Sequence, residues 1–406
     1  MVTVEQSEMK RTIYIVDDQH EVLETAVLIV RGVLPEAEVT GFLNPREALA
    51  AVQAHPPDLI LSDHMMPEMH GSELLDGVRE ASPTTVRIIM SGYVGLDRLT
   101  VITSAHQYVP KPFDAVELKH LLERTFAAQD RLVDPALREV VTALRTLPSL
   151  PQVRHSLLLE LQDEYGAAAT IGNLIAQDAG LTAKVLQLAN STLFGREYLV
   201  TNPGDAVTCL GTAVVASIVL SQTLFKHYAD NSHPEVNLPQ IWNHCWETAA
   251  LAQFFCREKS LPRATGEAAF LSGLLHETGR LVLVDNFPEK YQAACDAARA
   301  AKSSLGPRLR EIFGTTASDV GAYLLDLWGM PSAVVAAISF LERPEEEHPK
   351  SFSLTSALYI ADQLASRRFA PDPFPPTEWS RLYVRSVGGP EELAAWEKRS
   401  KGQKSV

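Results

Sequence analysis

The stretch "DLILSDHMMPEMHG", Asp58 to Gly71, sets the reading of the first part of this chain. Three consecutive apolar residues, Leu59 to Leu61, form a short continuous run ended by an acid, Asp63. Such a run, too short for a helix, reads as a strand covered on both faces. Working outward, the same design recurs. "TIYIV" is rich in β-branched residues and runs into Asp17 and Asp18; "EVTGF" is a short strand; "VRIIM" runs into Ser91; "QYVP" runs into Lys111. Between these lie amphipathic stretches: "VLETAVLIVRGVL", "PREALAAVQAH" opened by Pro45, and "DAVELKHLLERTFAAQ" with Asp114 as its expected N-cap. Strands alternating with helices predict a parallel α/β sheet with helices on both faces.

In such a sheet the C-terminal strand ends converge on one crevice. Asp17, Asp18, Asp63, Ser91 and Lys111 all fall at strand ends and are predicted to meet there. Clustered carboxylates repel unless a cation lies among them, and hard oxygen donors suit Mg²⁺. A carboxylate so placed can attack phosphorus and become an acyl phosphate, while the ammonium neutralises charge on the transferring oxygens. Any one of these residues alone fits a plain cap on the following helix. The whole set, in this order on this strand pattern, does not.

These stretches, "IVDD", "LILSDHMMPEMHG", "IIMSGY" and "YVPKPF", resemble the receiver domain of two-component response regulators. The resemblance implies a flavodoxin-like (βα)5 fold. It makes Asp63 the phosphoacceptor. Asp18, with Asp17 through water, Asp63 and the Met65 backbone carbonyl become the Mg²⁺ ligands. Ser91 becomes the switch hydroxyl, Lys111 the phosphate-contacting amine and Tyr108 the switch aromatic. It also implies a cis Lys111–Pro112 bond and a sensor histidine kinase as partner. Met65 and Tyr93, each two residues beyond a key position, are bulky and neither acidic nor amide. They are expected to hinder attacking water and prolong the phosphorylated state.

Pro135 in "RLVDPALREV" marks a break, and "LRTLPSLPQV" precedes a long Leu-rich region with helical periodicity to about Ser366. Within it, "GLLHETGRL" sets His276 directly before Glu277. A His–acid pair on an apolar helix can be half of a phosphohydrolase metal site, which needs several imidazoles and a bridging carboxylate. The partners are few. After His276 only His348 remains, in the loop "EEEHPK"; His227 and His233 flank the loop sequence "KHYADNSHP"; His244 in "IWNHCWETAA" is the one helical candidate nearby. The fullest set is His244, His276, Glu277 and Asp362, a poor two-metal site. Two structural readings compete with it: His276 donating to a backbone carbonyl, and Glu277 pairing with Arg280 three residues on.

The stretches "LRTLPSLP", "LIAQDAGLTAKVLQLANSTLFG", "AVTCLGTAVVASIVLSQTL", "FLSGLLHETGRLVL" and "VGAYLLDLWGMP" resemble an HDOD domain, the HD-related output domain. The resemblance implies an all-α fold related to HD phosphohydrolases but generally without their full metal set. Where catalytic relatives carry histidines, this chain has Ala317 in "TTASDV", and Leu341 and Glu342 in "SFLERP". An aspartate lengthened to Glu277 displaces a ligating oxygen by roughly 1 Å, outside a metal shell's usual tolerance. His244, His276, Glu277 and Asp362 are therefore expected to be a degenerate HD site, with no catalytic metal there.

The expected organisation is a receiver over 11–128, a linker helix over 129–145, an HDOD domain over 146–366 and a C-terminal extension over 367–406. The expected function is a phosphorylation-controlled, non-enzymatic regulator whose output domain acts on a protein partner, with receiver-mediated homodimers left open. The alternative is a metal-dependent phosphohydrolase or cyclic dinucleotide phosphodiesterase with a reduced site. A nucleic-acid partner is disfavoured: 36 basic against 50 acidic residues give a net charge of −14. The N-terminus lacks a signal-peptide core, no run of about 18 apolar residues suggests a membrane span, and the four cysteines form no CxxC pair. Reduced, buried thiols in a cytoplasmic protein are expected.

Overall fold

The computed structural model describes residues 11–91, 104–112, 114–132, 134–144, 168–190, 199–212, 237–347 and 351–368. Short pieces at 148–149, 157, 160, 215, 226–227, 374–375, 380, 383–384 and 398 are also described. The chain divides into two compact units, one from residues 1–127 with 191–195, the other from 128–190 with 196–406.

The first unit is a five-stranded parallel sheet. Its strands are β1 (Thr12–Val16), β2 (Glu38–Phe42), β3 (Leu59–Asp63), β4 (Val86–Ser91) and β5 (Gln107–Pro110), in the order β2-β1-β3-β4-β5. The chain moves from β1 outward to β2 and then crosses to β3. A switch point therefore opens between β1 and β3, at the strand ends that carry Asp17, Asp18 and Asp63. Among the described residues the helices between them are α1 (His20–Val33), α2 (Pro45–Ala54) and α3 (Gly71–Ala81), with α4 (Ala115–Arg131) after β5. One core layer packs Val16, Ile60 and Ile89 from the sheet against Val52 of α2 and Leu74, Leu75 and Val78 of α3. Each such fully buried aliphatic side chain contributes roughly 1.5–3 kcal/mol. Asp114 caps α4 as expected, its Oδ1 accepting from the Val116 N–H at 2.7 Å.

The helix over Gly71–Ala81 is an element that the strand-and-helix reading of the sequence leaves unassigned. Its start is fixed by Gly71, whose N–H donates to the His64 carbonyl at 2.9 Å. A Cβ at this position would run into the Asp63 carbonyl, so only glycine lets α3 begin directly beneath the loop after β3. Gly71→Ala is expected to cost the receiver about 1–3 kcal/mol, read as a lower melting temperature of that unit.

The second unit is helical. Within the span expected as one linker helix, α4 ends at Arg131 and α5 (Pro135–Ala143) begins at Pro135, capped by Asp134, whose Oδ1 accepts from the Ala136 N–H at 2.9 Å. Proline supplies no helical N–H, so it opens a helix rather than continuing one. α5 belongs to this unit's core, where Thr142 Oγ1 lies 2.8 Å from the Tyr323 hydroxyl. There follow α6 (Ala168–Ala176), α7 (Ala179–Ala189), α8 (Pro203–Leu210), α9 (Leu238–Glu258), α10 (Arg263–Leu275), α11 (Thr278–Asn286), α12 (Pro288–Ala301), α13 (Gly306–Phe313), α14 (Ala317–Leu327), α15 (Ser332–Ser339) and α16 (Leu354–Arg368). Pro148–Ser149 pairs with Lys226–His227 as a two-residue parallel ladder, too short to show in a periodicity reading. The helix α9 packs on both α10 and α16, and α11 packs on α14. Part of the C-terminal extension packs onto the same helices. Tyr383 is buried with its ring edge-on to Tyr359 at 5.3 Å, and its hydroxyl lies 3.0 Å from Ser356 Oγ.

Among the described residues no helix is long and apolar enough to cross a membrane. Cys245, Cys256 and Cys295 are buried and in no disulfide, and Cys209 is partly accessible. Burial raises the Cys256 thiol to about 12, and raises Cys245 as well. A thiol so raised carries almost no thiolate near pH 8. A thiol-reactive dye at that pH is expected to label Cys209 alone in the native chain, and all four cysteines after denaturation.

Candidate functional site

In the first unit the strand ends bring the predicted acids together. Asp17, Asp18 and Asp63 each offer a carboxylate oxygen, and these lie within 4.8 Å of one another. Lys111, just past β5, reaches across: its Nζ donates to Asp17 Oδ2 and to Asp63 Oδ1, both at 2.5 Å. The second Asp63 oxygen accepts from the Met65 N–H at 3.1 Å. Both oxygens of Asp63 are thus oriented. Asp17 is fully buried and Asp63 nearly so. Burial pushes the Asp63 carboxyl above its usual value, opposed by the bond and charge of Lys111.

One lysine cannot neutralise three carboxylates. Asp18 Oδ1 is moreover buried with no hydrogen-bond partner. An orphaned carboxylate oxygen beside two further oxygen donors is what a hard divalent cation requires, so the residues fit Mg²⁺. The acidic cluster is typical of a receiver Mg²⁺ site. Met65 follows the site and is 61% exposed. The Lys111–Pro112 bond is cis. The side chains of Ser91 and Tyr108, and all of Tyr93, lie outside the described residues.

In the second unit the structure brings together all four predicted HD-site residues. His244 comes from α9, His276 and Glu277 from the corner between α10 and α11, and Asp362 from α16. His244 Nε2 lies 3.0 Å from His276 Nε2 and 3.0 Å from Asp362 Oδ1. Glu277 Oε1 is 3.8 Å from each imidazole Nε2, and its other oxygen is 3.8 Å from Arg280 Nη1. Glycine sets the helix spacing here: Gly273 of α10 meets the Ala249 backbone of α9, where no Cβ fits. His276 Nδ1 lies 2.7 Å from the Gly273 carbonyl and donates to it, capping one of the last carbonyls of α10. Both expected structural contacts, His276 to a carbonyl and Glu277 to Arg280, are therefore present alongside the cluster. Burial works against the Asp362 carboxylate, but hydrogen bonds from His244 and His276 outweigh it and hold its pKa below the usual range.

The cluster faces a cavity of about 450 Å³. Ala317, Leu341 and Glu342 line it, so the three departures from the catalytic pattern lie in the same chamber as His276, Glu277 and Asp362. Glu342 is committed elsewhere, its Oε1 accepting from the Ser318 N–H at 3.0 Å at the start of α14. Two features had no sequence signal. Phe374, Pro375 and Ser380 of the C-terminal extension help wall the cavity, and Ser380 N–H donates to the Tyr359 hydroxyl at 2.8 Å. Cys245 sits against His276.

Comparison with known proteins agrees with both units. Residues 13–123 match the response regulator receiver domain, and residues 147–344 match the HDOD domain. The chain therefore carries an N-terminal response regulator receiver domain and a C-terminal HDOD domain, a two-component signalling architecture. It is 32% identical over 154 residues to the DNA-binding transcriptional regulator NtrC of Proteus hauseri, covering 36% of this chain and 32% of that protein. It is 24% identical over 214 residues to an uncharacterized protein of Treponema pallidum, covering 50% of this chain and 40% of the other. The chain thus spans less than half the length of these curated relatives. Among solved structures, the MmoQ response regulator of Methylococcus capsulatus is 24% identical with a TM-score of 0.47, covering 62% of this chain and 98% of that one.

Proposed function

We propose that this chain is a phosphorylation-controlled regulator: Asp63 accepts a phosphoryl group from a sensor histidine kinase, and the HDOD domain passes the change on by binding a protein partner rather than by catalysis. A receiver domain implies the kinase partner. The observation that carries the reading is the orientation of both Asp63 oxygens, Oδ1 accepting from Lys111 Nζ at 2.5 Å and Oδ2 from the Met65 N–H at 3.1 Å. An oxygen of Asp63 attacks phosphorus, the bond to the donor breaks, and the donor's group leaves with its electron pair. Lys111 offsets charge on the transferring oxygens. Asp17, Asp18, Asp63 and the Met65 carbonyl would hold Mg²⁺, which when bound supplies further neutralisation of the same charge. Ser91 and Tyr108 take the switch roles.

Non-catalytic output is supported by the donor set of the second unit. A two-metal hydrolase needs several more imidazoles, and the positions that would supply them hold Ala317, Leu341 and a committed Glu342. The regulator is expected to work in the cytoplasm. The test compares the full chain with and without beryllofluoride and Mg²⁺, following hydrogen exchange across residues 147–344 and hydrolysis of cyclic dinucleotides. The expected result is altered HDOD exchange with no turnover in either state. Turnover that increases with phosphorylation would replace this reading with the hydrolase.

The exposed Met65 side chain is expected to screen the acyl phosphate from water. The autodephosphorylation half-life should be minutes or longer, and Met65→Asn should shorten it severalfold, measured by loss of label from the purified receiver-phosphorylated chain.

A further inference from the structure

We infer that His244, His276, Glu277 and Asp362 bind a single four-coordinate transition-metal ion of the zinc class, tying α9, the α10–α11 corner and α16 together. The family resemblance does not predict this, since HDOD domains generally lack the metal set; the geometry does. A tetrahedral shell with bonds of ~2.0–2.2 Å has donor–donor edges of roughly 3.3–3.6 Å. The separations here straddle that range: 3.0 Å between the two Nε2 atoms, 3.0 and 3.5 Å from these to Asp362 Oδ1, and 3.8 Å from each to Glu277 Oε1. The added methylene of Glu277 thus leaves its oxygen on the cluster.

Protons alone serve this arrangement poorly. The Nδ1–H of His276 is fixed on the Gly273 carbonyl, which leaves its Nε2 lone pair facing the cluster when the ring is neutral. A single proton on His244 Nε2 must then be split between His276 Nε2 and Asp362 Oδ1, both at 3.0 Å, with nothing for Glu277 Oε1. With the proton on His276 Nε2 instead, His244 Nε2 at 3.0 Å and Asp362 Oδ1 at 3.5 Å compete for it and Glu277 Oε1 again receives none; with both Nε2 atoms protonated, two N–H groups oppose each other at 3.0 Å. A divalent cation satisfies all four donors at once, and two imidazoles with two carboxylates balance its charge. Imidazole donors select transition ions over Mg²⁺, which separates this site from the oxygen-only cluster of the receiver. The Gly273 carbonyl orients one imidazole, as outer partners of metal-binding histidines do. His244 Nδ1 has no partner, which sets the expectation of moderate affinity. With Ala317 and Leu341 in the cavity wall, no second ion is expected. The inference is independent of the phosphotransfer reading.

The experiment strips the full chain with a chelator and titrates Co²⁺ with excess Mg²⁺ present, so that the receiver cluster is occupied. One equivalent of Co²⁺ with the intense visible absorption of a tetrahedral ion is expected, displaced by Zn²⁺, and Zn²⁺ should raise the melting temperature of the helical unit. His276→Ala and Asp362→Asn should each weaken binding by about 10–100-fold or more, since even the loss of an outer partner costs that much. Asp63→Asn should leave it unchanged. No visible band, a weak octahedral spectrum, or undiminished binding by a folded Asp362→Asn chain would overturn the inference. Asp362→Asn is nearly isosteric, so it decides the matter if His276→Ala fails to fold.

Discussion

A chain carrying Asp63→Asn is expected to take up no phosphoryl group from its kinase or from acetyl phosphate, while melting within about 1 kcal/mol of the parent. The substitution keeps size and shape. Its carbonyl oxygen can still accept from Lys111 Nζ or from the Met65 N–H, the two bonds that orient Asp63. What disappears is the anionic oxygen that forms the new bond to phosphorus, and an amide is too weak a nucleophile to replace it. Asp17→Asn and Asp18→Asn should behave differently. They remove cation ligands but leave the nucleophile, so labelling should fall and be partly restored by raising Mg²⁺. Lys111→Ala should leave Mg²⁺ binding in place but slow transfer, because charge on the transferring oxygens loses its fixed counter-ion. The measurement is a mass shift of one phosphoryl group, labile to hydroxylamine as an acyl phosphate is. Label in the Asp63→Asn chain equal to the parent would place the acceptor elsewhere.

The receiver was legible in the sequence because its chemistry and its fold use the same residues. The strands β1, β3 and β4 are built on short apolar runs, and each of Asp17, Asp63 and Lys111 lies at or just past the end of a strand, so the strand pattern places the site. α3 was harder to read: its start depends on Gly71 approaching the Asp63 carbonyl, a contact between backbone atoms that no hydrophobic period records. The helical unit shows the reverse. Its cluster members could be chosen by counting histidines, yet their spacing could not. The four donors come from positions 244, 276, 277 and 362, and only the packing of α9 on α10 and α16 sets the distances among them. The role of the C-terminal extension was invisible for a similar reason. Phe374 and Ser380 matter through the cavity they wall, and Ser380 through its bond to the Tyr359 hydroxyl, not through any local pattern.

That dependence on packing makes Gly273 a sensitive position in the helical unit. A Cβ there would collide with the backbone of Ala249 and Thr248, which cannot yield as a flexible side chain can. Gly273→Ala must therefore push α10 away from α9, two helices that are well buried, with Leu271, Leu274 and Leu275 of one and Ala249, Ala252 and Phe255 of the other in the core. The cost should reach about 3 kcal/mol, the upper end for overpacking, less a fraction regained from helix propensity. Gly273→Leu, whose side chain has no space at all, should exceed a domain margin of roughly 5–15 kcal/mol and leave the helical unit unfolded. The receiver has its own core, so phosphoryl uptake at Asp63 should survive in both variants while the melting transition of the helical unit moves down or vanishes. His276 rides on the same helix end, and its Nδ1 is anchored to the Gly273 carbonyl, so a shift of α10 also separates His276 from His244. Gly273→Ala should thus lower Co²⁺ affinity as well as stability. A variant that melts like the parent and keeps its imidazoles together would show that the α9–α10 contact is looser than its geometry requires.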